Sequence, residues 1–355
     1  MNNAVKIYDS AFLMRGLCGD FTYLRFTESF RESGIGELRL PADSTALPLF
    51  TPDGYVSLPR GGLYRIMSVT RDLSTGVATV KCAGLLSLLG GTVIPEEYSL
   101  AGDAASLMYH LVRKASGNLP LPLTLTASAG DGTVSFTSGR SVLYDDLVSL
   151  CRLGDLGMSL TLADGKLKFT VLTPADRTKT GDSPLLVSRN MGTFDSDTVT
   201  WDMSSYKNVA VVSGAETEDG GRYTVTVRSD TIGIGDSFPD SEHYDRQMLV
   251  NFTAPVRPYM TENADGLLEL DTEAYLAAMY ASGAAALGRC RPRLYLTGDY
   301  TVLSLSPGDT VTVADPDSGI SGTATAESVT TEYSRDGGWS TKTSLSCRLP
   351  AETLA

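Results

Sequence analysis

A chain of 355 residues, 42% hydrophobic and 20% charged, has the make-up of a globular protein and not of a disordered or membrane one, and is long enough for two to four modules. Its net charge of −13 argues against a binder of nucleic-acid phosphates, which needs a basic stripe. Met1–Ser10 carries no basic stretch leading into an apolar run, so no secretory signal is expected, and the longest apolar stretch, Ala274–Gly288, is too short and too alanine-rich for a bilayer span.

The opening segment is β-rich. Val5–Tyr8, Phe21–Phe30, Gly36–Leu40, Tyr55–Leu58, Leu63–Val69 and Val77–Cys82 are short runs punctuated by Gly, Pro and Asp, the spacing of a small barrel or sandwich. Gly84–Leu89 is expected to close it with one helical turn, and a boundary is expected near Pro95. The next segment changes character. Asp103 is placed to cap a helix reaching about Ala115, with Leu107, Leu111 and Val112 on one face and Gly117 as its stop. Strands are expected at Leu121–Thr126 and Thr133–Phe136. Ser141 is then expected to cap a second helix whose Leu143, Leu147, Leu150 and Cys151 form one stripe, with Gly154 at its end. A hairpin follows, Met158–Leu162 and Lys166–Leu172, because Asp164-Gly165 supplies the positive φ angles of a tight turn.

From about Leu185 the pattern is β again. Asn208–Ser213 and Arg222–Arg228 form an expected hairpin through Asp219-Gly220-Gly221, Met248–Phe252 an expected strand, and Thr272–Gly288 a helix whose small side chains suit close packing on a sheet. Arg293–Cys347 is a run of strands broken at Pro307-Gly308-Asp309, Asp315–Gly319 and Asp336-Gly337-Gly338. Two distant stretches share a plan: Ser68–Cys82 (SVTRDLSTGVATVKC) and Ser328–Cys347 (SVTTEYSRDGGWSTKTSLSC) each give strand, acidic-polar glycine turn, strand and a terminal cysteine. A real repeat would put two copies of one β-barrel in a single chain, so three chains would present six.

The search for chemistry returns no catalytic, cofactor-binding or metal-binding residue. His110 and His243 are the two histidines, and neither has an acid–base partner placed by spacing. No GxSxG, HExxH or GxxxxGK[ST] occurs. Gly34-Ile-Gly36 and Gly233-Ile-Gly235 lack the third glycine and the following helix of a dinucleotide loop. Asp315-Pro-Asp317-Ser-Gly319 lacks the downstream glutamate of an EF-hand and reads as a polar turn. Cys18, Cys82, Cys151, Cys290 and Cys347 occur singly, an odd number without CxxC spacing, and are expected as buried thiols and not as disulfides or zinc ligands. The expectation is a non-enzyme.

Several motifs in succession carry a resemblance: Gly36-Glu-Leu-Arg-Leu-Pro41; Gly139–Thr178 with its Val171-Leu-Thr-Pro-Ala-Asp-Arg-Thr178 ending; Tyr206-Lys-Asn208-Val-Ala-Val-Val-Ser-Gly214; and Pro307-Gly-Asp-Thr-Val-Thr-Val313 after the alanine-rich helix. From about residue 5 to 348 their order resembles a family of siphophage tail proteins related in architecture to the central hub of contractile tails. The resemblance implies a mainly β fold with α+β elements: two small β-barrel domains, an α+β domain and an inserted domain. Its domains would be 1–96, the first barrel; 97–184, α+β; 185–228 with 290–355, the second barrel, opened by the Tyr206-Lys-Asn208 strand; and 229–289, the insertion. It also implies a homotrimer at the tail tip of a virion, synthesised in the host cytoplasm, whose ring continues the tail tube and carries DNA through its lumen. Expected partners are tail-tube and distal-tail proteins on one side and a spike, fibre or receptor-binding protein on the other, with no cofactor, no sequence-specific nucleic acid and no stable membrane insertion. Larger relatives carry adhesin or wall-cutting extensions; a chain ending at Ala355 is expected to leave such activity to another protein. Three copies of a −13 chain total −39: acids lining the lumen would repel DNA, and the alternative is that they coat the outside of the ring. The alternatives are a tail-associated cell-wall hydrolase and a carbohydrate-binding adhesin.

Overall fold

The computed structural model describes residues 4–126, 134–178, 184–193, 195–202, 204, 206–217, 219–229, 245–252, 256, 259–262, 267–290, 293–299, 305–315 and 320–347. The first β-module holds β1 (Val5–Tyr8), β2 (Met14–Cys18), β3 (Tyr23–Ser29), β4 (Ile35–Pro41), β5 (Tyr55–Ser57), β6 (Leu63–Asp72) and β7 (Val77–Gly84), followed by the 3-10 turn Leu85–Gly91. Alternation along β3 and β4 turns Leu24, Phe26, Leu38 and Leu40 into a core with Phe21, Phe50, Tyr64 and Ile66, while Arg25, Glu37 and Arg39 stay on the solvated face.

The α+β module contains β8 (Val93–Gly102), α1 (Ala104–Ala115), β9 (Leu123–Thr126), β10 (Val134–Val142), α2 (Leu143–Gly154), β11 (Gly157–Ala163) and β12 (Lys166–Leu172). Asp103 caps α1 by accepting the Ser106 N–H at 2.8 Å, and Leu107, Leu111 and Val112 are buried as their spacing requires. Ser141 does not cap α2. It lies within β10 and bonds Asp146 Oδ2 through its hydroxyl at 2.6 Å, and Val142, the last residue of β10, stands at the helix start. Gly154 is still helical, and the left-handed residue that stops the helix is Asp155, at φ 50°. The Asp164-Gly165 hairpin forms with both residues at positive φ.

The remaining strands are β13 (Ala175–Arg177), β14 (Leu186–Val187), β15 (Asp195–Asp202), β16 (Val209–Glu216), β17 (Arg222–Arg228), β18 (Gln247–Asn251), β19 (Met260–Glu262) and β20 (Leu268–Leu270), then helix α3 (Thr272–Arg289) and strands β21 (Arg293–Asp299), β22 (Asp309–Asp315), β23 (Ile320–Ser334) and β24 (Gly338–Cys347). The hairpin β16–β17 does not join the strands of the second β-module. It pairs with β18 and lies under α3, so the expected boundary at residue 228 runs through one small unit, and the Tyr206-Lys-Asn208 stretch opens that unit. Its centre is Tyr275, fully buried, ringed edge-on by Tyr223, Phe252 and Tyr259 at 5.4–5.5 Å and accepting the Ala215 N–H at 2.8 Å. Gly283 is what lets α3 close on the sheet, since a Cβ there would lie 2.7 Å from Val227 and 2.8 Å from Val212.

Among the described residues the strands of the two β-modules join edge to edge. One 14-stranded sheet runs β15-β21-β24-β23-β3-β4-β7-β6-β5-β1-β2, with β22, β13 and β14 branching from β23. No β2–β3 ladder closes the first module, because the outer side of β3 is occupied by β23. The sheet contains a repeat. The run β3-β4-β7-β6-β5 has the same order and the same antiparallel pairings as β15-β21-β24-β23-β22. The long strand of each run also bulges at matching places, Ile66/Ser68 and Ala326/Ser328. The two similar sequence stretches beginning at Ser68 and Ser328 are the hairpins that follow those bulges.

Candidate functional site at the junction of the two β-modules

Beyond its bulge, β23 pairs antiparallel with β3 over seven residue pairs, from Ser328↔Ser29 to Ser334↔Tyr23. Thr27 and Thr330 share a hydroxyl hydrogen bond of 2.8 Å across this ladder. The tip of the β23–β24 hairpin then plugs the side of the first core. Tyr333 meets Phe21 edge-on at 5.3 Å and Trp339 at 5.1 Å, and Arg60 lies 4.7 Å from the Trp339 ring centre.

Where β3 ends, Phe30 and Arg31 tie three modules together. The Phe30 N–H donates to Glu327 O at 2.9 Å, and its carbonyl accepts the Met158 N–H at 3.0 Å. The ring is fully buried, and two glycines close on it: a Cβ would come within 2.2 Å of Phe30 Cε2 at Gly157 and within 2.5 Å at Gly308. Gly308 also sits at φ 95°, where a side chain is strained. Arg31, 11% exposed, donates through Nη1 to both carboxylate oxygens of Glu327 at 2.7 and 2.8 Å and through Nη2 to Asp155 Oδ1 at 2.5 Å. Glu327 is the bulged residue of β23 and also accepts the Ser346 hydroxyl at 2.7 Å. Nearby, Arg152 holds Glu32 at 2.9 Å, and Arg177 holds the buried Asp309 at 3.1 Å.

Between this junction and β11 lies a cleft of about 460 Å³, lined by Tyr8, Glu28, Tyr64, Met158 and Leu160 among others. Glu28, exposed at its mouth yet partly desolvated by its walls, has its carboxyl raised above the usual value. Glu32, the other carboxylate on the wall, is engaged by Arg152.

The residues singled out from sequence are not brought together. His110 is exposed on α1, and His243 lies outside the described residues. Gly34 is a packing glycine, its Cβ position 2.3 Å from the Thr27 carbonyl oxygen, and Gly233-Ile-Gly235 lies outside the described residues. Asp315 ends β22, and residues 316–319 lie outside the described residues. Among the described residues no group of three or more His, Cys, Asp or Glu is placed to hold a metal ion. Burial pushes the thiols of Cys18, Cys82 and Cys151 up to about 12, so they are protonated and unreactive at neutral pH. Cys290 is half-buried with its sulfur 3.9 Å from that of Met248. No helix among the described residues is long and apolar enough to cross a membrane. What sequence reasoning missed is the Phe30–Arg31–Glu327 junction.

The sequence profile of the Siphovirus ReqiPepy6 Gp37-like proteins matches residues 4–342. The chain belongs to that family. Among solved structures this Gp37-like chain has the fold of three tail proteins at low identity. It matches the prophage MuSo2 43 kDa tail protein from Shewanella oneidensis at TM-score 0.57 and 10% identity, covering 99% of this chain and 100% of that one. The prophage tail protein gp18 from Listeria monocytogenes EGD-e gives 0.54 and 11%, with 97% and 94% covered. The tail protein from Neisseria meningitidis MC58 gives 0.52 and 14%, with 97% and 96% covered. No curated protein sequence matches the Gp37-like chain.

Proposed function

We propose that the chain is a structural hub subunit of a phage tail tip. Three copies close into a ring that joins the tail tube to the distal spike or receptor-binding apparatus and leaves a lumen for DNA. The observation that carries this reading is the repeated run of strands, laid edge to edge in one sheet, so that each chain supplies two similar units to a ring and three chains supply six. The siphovirus family and the shared fold with tail proteins support it. The partners are tail-tube and distal-tail proteins on one side and a spike, fibre or receptor-binding protein on the other.

The face of the junction sheet turned away from the cores is the natural lumen wall, and its charge departs from the acidic lining expected from the net charge. Arg25, Arg39, Lys81 and Lys342 there stand against Glu37, Glu332 and Asp72, among serines and threonines. The same register places Asp299 opposite Lys342 and Asp195 opposite Asp299, so the wall is polar and of mixed charge. A hydroxyl-rich surface of mixed charge gives DNA phosphates neither a basic stripe to grip nor a strong barrier.

Immunogold labelling of intact particles with antibody to the chain tests the reading. Label at the distal end of the tube is expected, and label along the whole tube or on the head overturns it. Zymography on host cell walls is expected to show no lysis by the purified chain, and a cleared band would favour a tail-associated hydrolase.

A further inference from the structure

The ring reading leaves open which surfaces meet between neighbouring subunits, and the repeat answers it. Within the chain, the half of β23 beyond its bulge is covered by β3, the first strand of the other run. The matching half of β6, Ser68–Asp72, has no such cover: among the described residues it pairs on one side only, with β7. Its Thr70, Arg71 and Asp72 are exposed, and Met67, at the bulge where the other run has Glu327, is 51% exposed. The strand matching β3 is β15, and among the described residues it too pairs on one side only, with β21. Neither segment contains proline or glycine, and both edges are charged and bulged, with Arg71 and Asp72 in β6 and Asp195, Asp197 and Asp202 in β15, so a second strand is accepted only in the register that the repeat dictates.

We propose that Ser68–Asp72 of β6 pairs antiparallel with β15 of a second copy, repeating between chains the ladder that β23 and β3 form within one. The inference rests on the ring reading and adds to it the contact that builds the ring. Such a contact joins two different surfaces, so each copy offers one of each, and rotation can close the series. The register follows from the paired bulges. Ile66 faces Cys82 and Ala326 faces Leu345, while Gly36 and Leu296 are the next residues across, which makes Phe26 equivalent to Val199 and Thr27 to Thr200. Thr70 takes the place of Thr330, so Thr70 of one copy faces Thr200 of the next, as Thr330 faces Thr27. Asp72 then stands opposite Thr198, as Glu332 stands opposite Arg25. The other end of the sheet, β2 with exposed Leu13, Met14 and Leu17, has no counterpart junction in the chain from which to derive a partner.

Facing residues of an antiparallel pair have Cα atoms about 4.5–5.5 Å apart, within the reach of a disulfide. The test is the full-length double variant Thr70→Cys/Thr200→Cys, oxidised and run without reductant, beside each single variant, Thr70→Cys/Thr198→Cys and wild type, with native mass measured in parallel. Covalent trimers from the facing pair, with little from the shifted pair and none from the single variants, are the expected result. A native trimer that yields no bond from either pair overturns the edge assignment and leaves the ring standing. Cross-linked chains that run on beyond three keep the edge and overturn three-fold closure. A chain that stays monomeric both in solution and in extracts of assembled tails overturns both.

Discussion

The two β-modules share a strand order but not a core. The first buries Phe21, Phe26, Phe50 and Tyr64 with a full complement of aliphatic side chains; among the described residues the second buries Val187, Leu296, Leu305, Val311, Val313, Ala324, Ala326 and Leu345, with no ring among them. At roughly 25 cal/mol per Å² of apolar surface, a core of small side chains gives the second module much less to stand on. It compensates by reaching outward, lending Tyr333 and Trp339 to the first core and fixing its bulge to Arg31. The difference teaches that the junction is part of what folds the second module, as well as the line where two modules meet. The α3 unit has its own core around Tyr275.

Perturbing the junction shows whether that dependence is real. The largest effect is expected for Phe30→Ala, which removes a fully buried ring where three modules touch and should cost about 3–5 kcal/mol in denaturant unfolding. The second module should melt early in this variant, and unfolding of both modules together at an unshifted midpoint would break the comparison. Arg31→Met strands Glu327 in a largely buried site and should cost about 2–4 kcal/mol. Adding Glu327→Gln should recover part of that loss, and strict additivity in the double-mutant cycle would deny the coupling. Trp339→Ala removes a half-buried ring and its contact with Arg60, for about 1–2 kcal/mol, read as earlier proteolysis within the β23–β24 hairpin.

The smallest effect concerns pH. Hydrogen bonds from Ser74, then Thr75, hold the Asp72 carboxyl down to about 2 at the β6–β7 turn. A depressed folded value means the turn's support is complete above the unfolded value, about 3.9, and fades as pH falls through about 2. Amide exchange at Ser74 and Thr75 should quicken over that window in wild type and be fast throughout in Asp72→Asn. Equal protection in both would remove Asp72 from the account.

Local structure was legible where a residue has one physical reason to be where it is. Asp103 announced its helix, Asp164-Gly165 its hairpin, and the small residues after Thr272 a helix that packs close. β2 was missed because Met14-Arg-Gly-Leu-Cys18 shows no alternation, and β8 because Pro95 and two glutamates look like a boundary. Pro95 is accommodated because the β8–β10 register shifts between Ile94 and Glu97, opposite Gly139 and Ser141, where proline costs no ladder bond. The alternation of Asn208–Ser213 gave a strand but not the sheet it joins, so the hairpin was placed in the wrong unit. The junction itself was illegible, since Arg31 and Glu327 stand 296 residues apart and no spacing rule links them. The faint likeness between Ser68–Cys82 and Ser328–Cys347 was the one trace of it, and it became informative once the two bulges could be superposed.

The most direct test of the central claim is a cryo-EM map of the tail tip resolved to separate strands. The account predicts three copies of this chain in one ring, six of the repeated runs around a polar lumen, and ladders alternating between β23–β3 within a chain and β6–β15 between chains. A ring with any other number of copies, or one in which the free side of β6 faces solvent, would contradict it.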